Sequence, residues 1–209
     1  MMVFWKARLV FLAVPKTGTQ AYEAALGQQA DIVMRHPTSV KHMSAQKFRR
    51  KFAPLLGPGT GKSLKTLAVI REPVDWLGSW YRYRRRPELN GHPNSTATLS
   101  FDDFVDGYLA EVQPAWANVG SQFRFVSNDR GHVITDHLFP YEDQVGLRGF
   151  LAQSLGFDVP PPPQVNRSPD RTPSRLSPEL EDRLRRDHAA DFDLHQAVTL
   201  GRPYSGPDT

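Results

Sequence analysis

Apolar residues along this chain fall into short unbroken runs, each ended by a polar turn and followed by a stretch with helical spacing. Leu9 to Val14 is the strongest run. It predicts a strand covered on both faces, and the residues after the next turn, Gln20 to Leu26, have the spacing of a helix. Asp31 to Arg35 gives a weaker second strand. Ser44 to Phe52 reads as a basic helix with Phe48 and Phe52 at i,i+4 spacing, ended by Pro54. Leu67 to Ile70 is the next buried strand. Arg71-Glu72-Pro73 carries it into a helix through Trp76, Leu77, Trp80 and Tyr81, with Pro73 suited to the first helical turn.

The second half is patterned more loosely. Pro87 to Thr98 is rich in Pro, Asn, Gly, Ser and Thr and predicts a mobile loop of the kind that covers substrates. Ser100 caps a helix from Phe101 to about Glu111. Phe123 to Val126 and Val133 to Phe139 read as strands with Gly131 in the turn between them, and Val145 to Leu155 as an amphipathic helix closed by Gly156. Pro160 to Pro163 form a stiff extended spacer, after which the tail from Ser177 is helical, with Leu180 and Leu184 on one face. Strands that alternate with helices predict an α/β fold, a parallel sheet with helices on both faces, whose ligands bind at the carboxyl ends of the strands.

With 209 residues and 39% hydrophobic content the chain can bury one sizeable core. A single domain over 1–209 is expected, with 160–176 as a Pro-rich connection to a C-terminal helical segment. The absence of cysteine excludes disulfides, cysteine-ligated zinc and thiol nucleophiles, and fits a reducing compartment. A net charge of +4 and a pI near 9.5 favour anionic partners, but fall short of the footprint of a dedicated nucleic-acid binder. No apolar run approaches the roughly 20 residues that cross a bilayer, so a cytoplasmic protein without a membrane anchor is expected. Asn94-Ser95-Thr96 and Asn166-Arg167-Ser168 match the glycosylation pattern only by chance in such a setting.

Pro15-Lys16-Thr17-Gly18-Thr19 joins the first strand to its helix. The first turn of that helix presents unpaired backbone N–H groups at the positive end of its dipole, so phosphate or sulfate would sit there; the alternative is an ordinary strand-to-helix turn capped by threonine. Lys16 adds a point charge, the Thr17 and Thr19 hydroxyls add donors, and Gly18 allows close backbone approach. Gly57 to Ser63 ends like a nucleotide-binding loop, but its first required glycine falls on Leu56, and a strand rather than a helix follows. It reads as a flexible connection. Arg71, just past the end of a parallel strand, lies beside Lys16, and with Ser79 about two turns into the next helix it can grip a second phosphate through its planar fork; the alternative is a helix-capping arginine paired with Glu72 or Asp75.

These motifs resemble those of the PAPS-dependent sulfotransferases, specifically the bacterial and Golgi-type carbohydrate sulfotransferase superfamily. Pro15 to Thr19 looks like the family's 5′-phosphosulfate loop. Arg71-Glu-Pro-Val-Asp-Trp-Leu-Gly-Ser79, an arginine with a serine eight positions later, looks like its 3′-phosphate motif. Tyr141-Glu142-Asp143 after a strand, and Asn166-Arg167-Ser168 before a terminal helix containing Asp191-Phe192, are similar to bacterial members. The resemblance implies a P-loop-like three-layer α/β/α fold, PAPS as sulfuryl donor with no metal required, and transfer to an acceptor hydroxyl on a carbohydrate or small metabolite. It further implies that Lys16, Thr17, Gly18, Thr19 and Gln20 hold the 5′ end of the nucleotide and Arg71 and Ser79 its 3′-phosphate, with Lys16 also the main electrostatic device of transfer.

The acceptor hydroxyl needs a base, and two histidines are candidates: His42 before a helix, which is favoured, and His36 at the end of the second strand. The remaining histidines, His92, His132, His137, His188 and His195, show no metal-ligand spacing. Arg82 to Arg86 lies at a helix C-terminus, where it is either a solvated face or a site for an acidic glycan, with Trp76, Trp80 or Trp116 available to stack on sugar rings. A small P-loop nucleotide kinase or NTPase is the alternative enzyme, although the strand Leu67 to Ile70 ends in Arg71 instead of a metal-holding acid. A non-catalytic anion-binding module resting on the arginine run is the third reading, and it predicts an affinity that falls steeply with salt.

Overall fold

Met2–Phe4 (β1) and Leu9–Phe11 (β2) form a hairpin, with Phe4 opposite Leu9 and the turn closed by Arg8 N–H on the Trp5 carbonyl at 3.1 Å. A three-residue strand carries too little pattern to be read from sequence, and β1 was not expected. The computed structural model describes residues 1–57, 59, 63–163 and 175–204. Most of the Gly57 to Ser63 connection, most of the 160–176 connection and Asn166-Arg167-Ser168 lie outside the described residues.

The sheet has the order β3-β1-β2-β4-β5, with β3 at Ile32–Val33, β4 at Lys65–Ile70 and β5 at His137–Pro140. β2, β4 and β5 are mutually parallel, while β1 runs against both of its neighbours. The sheet is therefore mixed rather than wholly parallel. The cause is local: a four-residue turn between β1 and β2 permits only a hairpin, whereas the β2 to β4 and β4 to β5 crossovers are long enough to return the chain in the same direction.

Alternation along the strands divides the core. Val10, Leu12, Ala68 and Ile70 face Phe48, Val126 and Leu194, while Leu9, Phe11, Leu67 and Val69 face Tyr22, Leu26, Leu147 and Leu151 on the other side. Helices thus cover both faces, which makes three layers. Tyr22 and Leu26 come from Thr19–Leu26 (α1), and Leu147 and Leu151 from a later helix, Gln144–Leu155, closed by Gly156 in the left-handed conformation. A third cluster of Trp76, Leu77, Tyr81, Phe101, Phe104, Val105, Tyr108 and Leu184 packs beside the sheet.

After Thr38–Lys41 (α2), the expected helix over Ser44 to Phe52 begins as Ala45–Lys47 (α3), capped by Ser44, and then widens into a π-type turn over Phe48–Phe52. Pro54 has no N–H to continue the usual ladder, and Ala53 N–H reaches back five residues to the Phe48 carbonyl. Pro73–Arg84 (α4) and Phe101–Tyr108 (α5) follow as expected, α5 starting from a reciprocal Ser100–Asp103 cap. The connection between them, which its composition predicts to be a mobile loop, is fastened to α4 near its end. Buried Thr96 donates its N–H to the Arg84 carbonyl at 3.1 Å, at the open end of α4, and its hydroxyl to the Tyr81 carbonyl at 2.9 Å, which also accepts from Arg85 N–H at 3.0 Å.

Gln122–Val126 (α6) is a short helix where a strand was expected. Its aromatic and β-branched residues suit a strand, but Ser121 accepts from Arg124 N–H at 3.2 Å and buried Asp191 accepts from Phe123 N–H at 2.9 Å, so the first amides are capped from outside. Only Val133 of the next expected strand's beginning is paired, as an isolated bridge to Ser127. Gln144–Leu155 (α7), Pro178–Asp187 (α8) and Ala189–Thr199 (α9) complete the described elements. Among the described residues no helix is long and apolar enough to cross a membrane.

Candidate active site

The carboxyl ends of β2, β4 and β5 lie side by side, and each emits one residue of the site. Beyond β2, Lys16 adopts the left-handed backbone conformation at φ 66° and Gly18 does so at φ 75°. A left-handed lysine is strained by about 1–2 kcal/mol, and the surroundings hold it there. Trp76 of α4 donates Nε1–H to the Pro15 carbonyl at 2.9 Å, and Arg71 Nη1 donates to the Lys16 carbonyl at 3.3 Å. Gly18 is required twice over, because a Cβ would stand 3.1 Å from the Tyr141 ring. In α1, Ala21 N–H closes on the Gly18 carbonyl at 3.0 Å, and a helix start of this kind suits an anion.

The threonines divide. Thr17 is buried and donates its hydroxyl to the Val14 carbonyl at 2.9 Å, so that proton is committed to its own loop and only its backbone can donate to an anion. This corrects the expectation that its hydroxyl serves as a donor. Thr19 is nearly buried at the start of α1, and Gln20 is exposed beside it.

Lys16 Nζ lies 4.3 Å above the Tyr83 ring and 5.9 Å from that of Trp80. Burial and the guanidinium groups of Arg86, Arg71 and Arg82 lower its pKa to about 8. The arginine run is therefore not a continuous solvated face. Arg82 and Arg86, one turn apart, stand near Lys16; Arg84 is buried, with Nη1 and Nη2 on the Ala115 and Asn118 carbonyls at 2.7 and 3.2 Å, and Arg85 donates to the Tyr81 hydroxyl at 2.9 Å. Trp76 and Trp116 belong to the core, where a Cβ on Gly107 would overlap the Trp116 ring. Trp80 lies between Lys16 and Arg84.

Arg71 follows β4 directly. Gln122 fixes its backbone at both ends, accepting from Arg71 N–H and donating Nε2–H to the Arg71 carbonyl, each at 2.8 Å. Its guanidinium lies 4.5 Å over the Tyr141 ring, and Nε and Nη2 both reach the Asp75 carboxylate at 2.6 Å. Ser79 is partly buried on α4, one turn beyond Asp75 and one turn before Arg82. Glu142, next to Tyr141, accepts from Glu72 N–H at 3.2 Å and meets His195 Nε2 at 3.2 Å, tying α9 to the start of α4.

His42 ends α2, and its Nδ1 lies 2.7 Å from the Ala13 carbonyl, three residues before Lys16. A carbonyl can only accept, so Nδ1 carries the proton and Nε2 keeps its lone pair. Burial lowers the His42 pKa below the ordinary imidazole value, against the opposing pull of that hydrogen bond. His36 is exposed and has no bond tying it to this cluster. Of the other histidines, His188 stacks on Tyr108 at 4.6 Å and His137 packs on Phe150 at the same distance. Among the described residues no group of His, Asp and Glu is placed to hold a metal ion.

Gln122, Tyr141 and Tyr83 shape this site and were not singled out as binding residues by the sequence. Gln122→Ala removes both bonds to the Arg71 backbone and is expected to lower the melting temperature by several degrees. Thermal unfolding of the variant beside wild type checks this.

No family model matches the chain, and no curated protein matches it. Among solved structures the chain is similar to the crystal structure of a sulfotransferase from Alicyclobacillus acidocaldarius. The TM-score is 0.49 and the identity 16%, over 95% of this chain and 97% of that one.

Proposed function

We propose that the chain is a PAPS-dependent O-sulfotransferase, moving a sulfuryl group from PAPS to an acceptor hydroxyl on a carbohydrate or small metabolite and leaving adenosine 3′,5′-bisphosphate. The observation that carries this reading is the contact between two adjacent strand ends, Arg71 Nη1 on the Lys16 carbonyl at 3.3 Å. It sets two cationic anchors within the span of one doubly phosphorylated nucleoside. The donor set suits such a ligand: the first turn of α1 with Lys16 for the 5′-phosphate, Arg71 with Ser79 for the 3′-phosphate.

When bound, PAPS supplies a sulfuryl group whose S–O bond to the 5′-phosphate breaks as the acceptor oxygen forms a new one. Lys16 Nζ stabilises the charge left on the departing phosphate oxygen. His42 Nε2 takes the acceptor's proton, with Nδ1–H held on Ala13 so that the ring keeps one tautomer and one orientation. Arg71 and Ser79 select nucleotides that carry a 3′-phosphate.

The two titrating groups give kcat/KM a bell-shaped dependence on pH. His42 acts only when neutral, so activity rises with pH through a value below the ordinary imidazole range. Lys16 acts only when charged, so activity falls as pH passes about 8. Initial rates at low PAPS concentration from pH 5 to 10 check this. An alkaline limb two units higher would show that the lysine with the lowered pKa is not the one that matters.

Isothermal calorimetry with adenosine 3′,5′-bisphosphate, and with ATP plus magnesium, tests the reading itself. The bisphosphate is expected to bind in preference to MgATP, and Arg71→Ala to lose about 10- to 100-fold of that affinity. Preference for MgATP would overturn the assignment.

A further inference from the structure

Of the two residues assigned to the 3′-phosphate, Arg71 already holds an anion supplied by the chain. Arg71 directs Nε and Nη2 to one oxygen of Asp75, each at 2.6 Å, and Arg82 Nη2 approaches the other oxygen at 3.5 Å. Asp75, Ser79 and Arg82 occupy i, i+4 and i+7 of α4 and so form one stripe of the helix. The carboxylate thus rests on Arg71 and shares its stripe of the helix with Ser79. It is also better placed to move than its partner, since the Asp75 side chain is 48% exposed while that of Arg71 is 13% exposed.

We propose that Asp75 is a resident competitor for the 3′-phosphate, which occupies Arg71 in the free enzyme and returns to it as product leaves; this rests on the nucleotide reading given above. A half-exposed ion pair between neighbours on a helix is weak. It yields to a phosphate dianion, whose charge is greater and whose oxygens can engage Arg71 and Ser79 together. The displaced carboxylate stays on the same stripe and repels the phosphate it made way for. Its effect is a bisphosphate held less tightly than Arg71 and Ser79 alone would hold it, and a faster release of product. The backbone of Asp75 is anchored separately, by its N–H on the Glu72 carboxylate at 2.8 Å, so the carboxylate can swing without unwinding the first turn of α4.

Calorimetric titration of wild type, Asp75→Asn, Asp75→Ser and Asp75→Glu with adenosine 3′,5′-bisphosphate, and separately with adenosine 5′-phosphate, tests the proposal. Wild type binds the bisphosphate more tightly than the monophosphate. In Asp75→Asn and Asp75→Ser the bisphosphate binds about tenfold more tightly, as removal of a like charge beside the phosphate requires, while the monophosphate changes by less than about twofold. Asp75→Glu, which keeps the charge, stays near wild type. Using two uncharged replacements guards against one that folds poorly. If wild type discriminates between the nucleotides but both uncharged variants bind the bisphosphate equally or more weakly, Asp75 positions Arg71 instead and the competitor role is wrong. Wild type that fails to distinguish the two nucleotides would overturn the nucleotide reading underneath.

Discussion

Lys16→Ala is expected to lower the turnover number by about 10²- to 10³-fold, the scale seen when one charge-stabilising donor is removed from a reacting oxygen. Affinity for adenosine 3′,5′-bisphosphate should fall by less than about tenfold, because the first turn of α1, Arg71 and Ser79 still hold the phosphates. The separation follows from the site. Lys16 Nζ, over Tyr83 at 4.3 Å and beside Arg71, Arg82 and Arg86, is one cation among several for binding the nucleotide. In the transfer step it alone is assigned to the departing oxygen. Transfer of label from ³⁵S-PAPS to an acceptor from a hydroxyl library, with calorimetry on the same protein, measures both numbers. Equal losses in the two would reduce Lys16 to a binding residue.

His42→Ala should cost a further large factor of a different kind, about 10²- to 10⁴-fold in transfer with cofactor affinity unchanged within about twofold. The ring is half-buried, its Nδ1–H is fixed on the Ala13 carbonyl at 2.7 Å, and its burial keeps it neutral further into acid than an ordinary imidazole. Those are the properties of a base that is ready before the acceptor arrives. In the same assay His36→Ala is expected to behave like wild type. Full activity in His42→Ala together with loss in His36→Ala would move the base to His36.

The parts of this molecule that could be read from sequence are those whose cause is local. A buried run, a glycine-bearing turn and a helix are written in consecutive residues, so β2, the Lys16 turn and α1, and likewise β4, Arg71 and α4, were found in order. The Ser100 and Gly156 caps were legible for the same reason. The three-layer arrangement followed from the alternation of strands and helices.

What escaped depends on partners distant in the chain. Phe123-Arg-Phe-Val has the composition of a strand, but Asp191 caps its first turn across 68 positions. The stretch around Thr96 has the composition of a flexible loop, but two hydrogen bonds fasten it to the end of α4. Gln122 clamps Arg71 from 51 residues away, and Tyr141 fills the space between Arg71 and Gly18. No spacing rule links such pairs. The Thr17 hydroxyl was misjudged for a related reason, since a turn rich in donors says nothing of which donor the turn needs for itself. The antiparallel β1 was too short to leave a pattern.

A crystal structure with adenosine 3′,5′-bisphosphate bound addresses the assignment most directly. It should show the 5′-phosphate on the first turn of α1 against Lys16 Nζ and the 3′-phosphate of the same molecule on Arg71 and Ser79, with Asp75 turned away. A nucleotide that leaves either Lys16 or Arg71 without a phosphate, or that lies elsewhere on the protein, would contradict it.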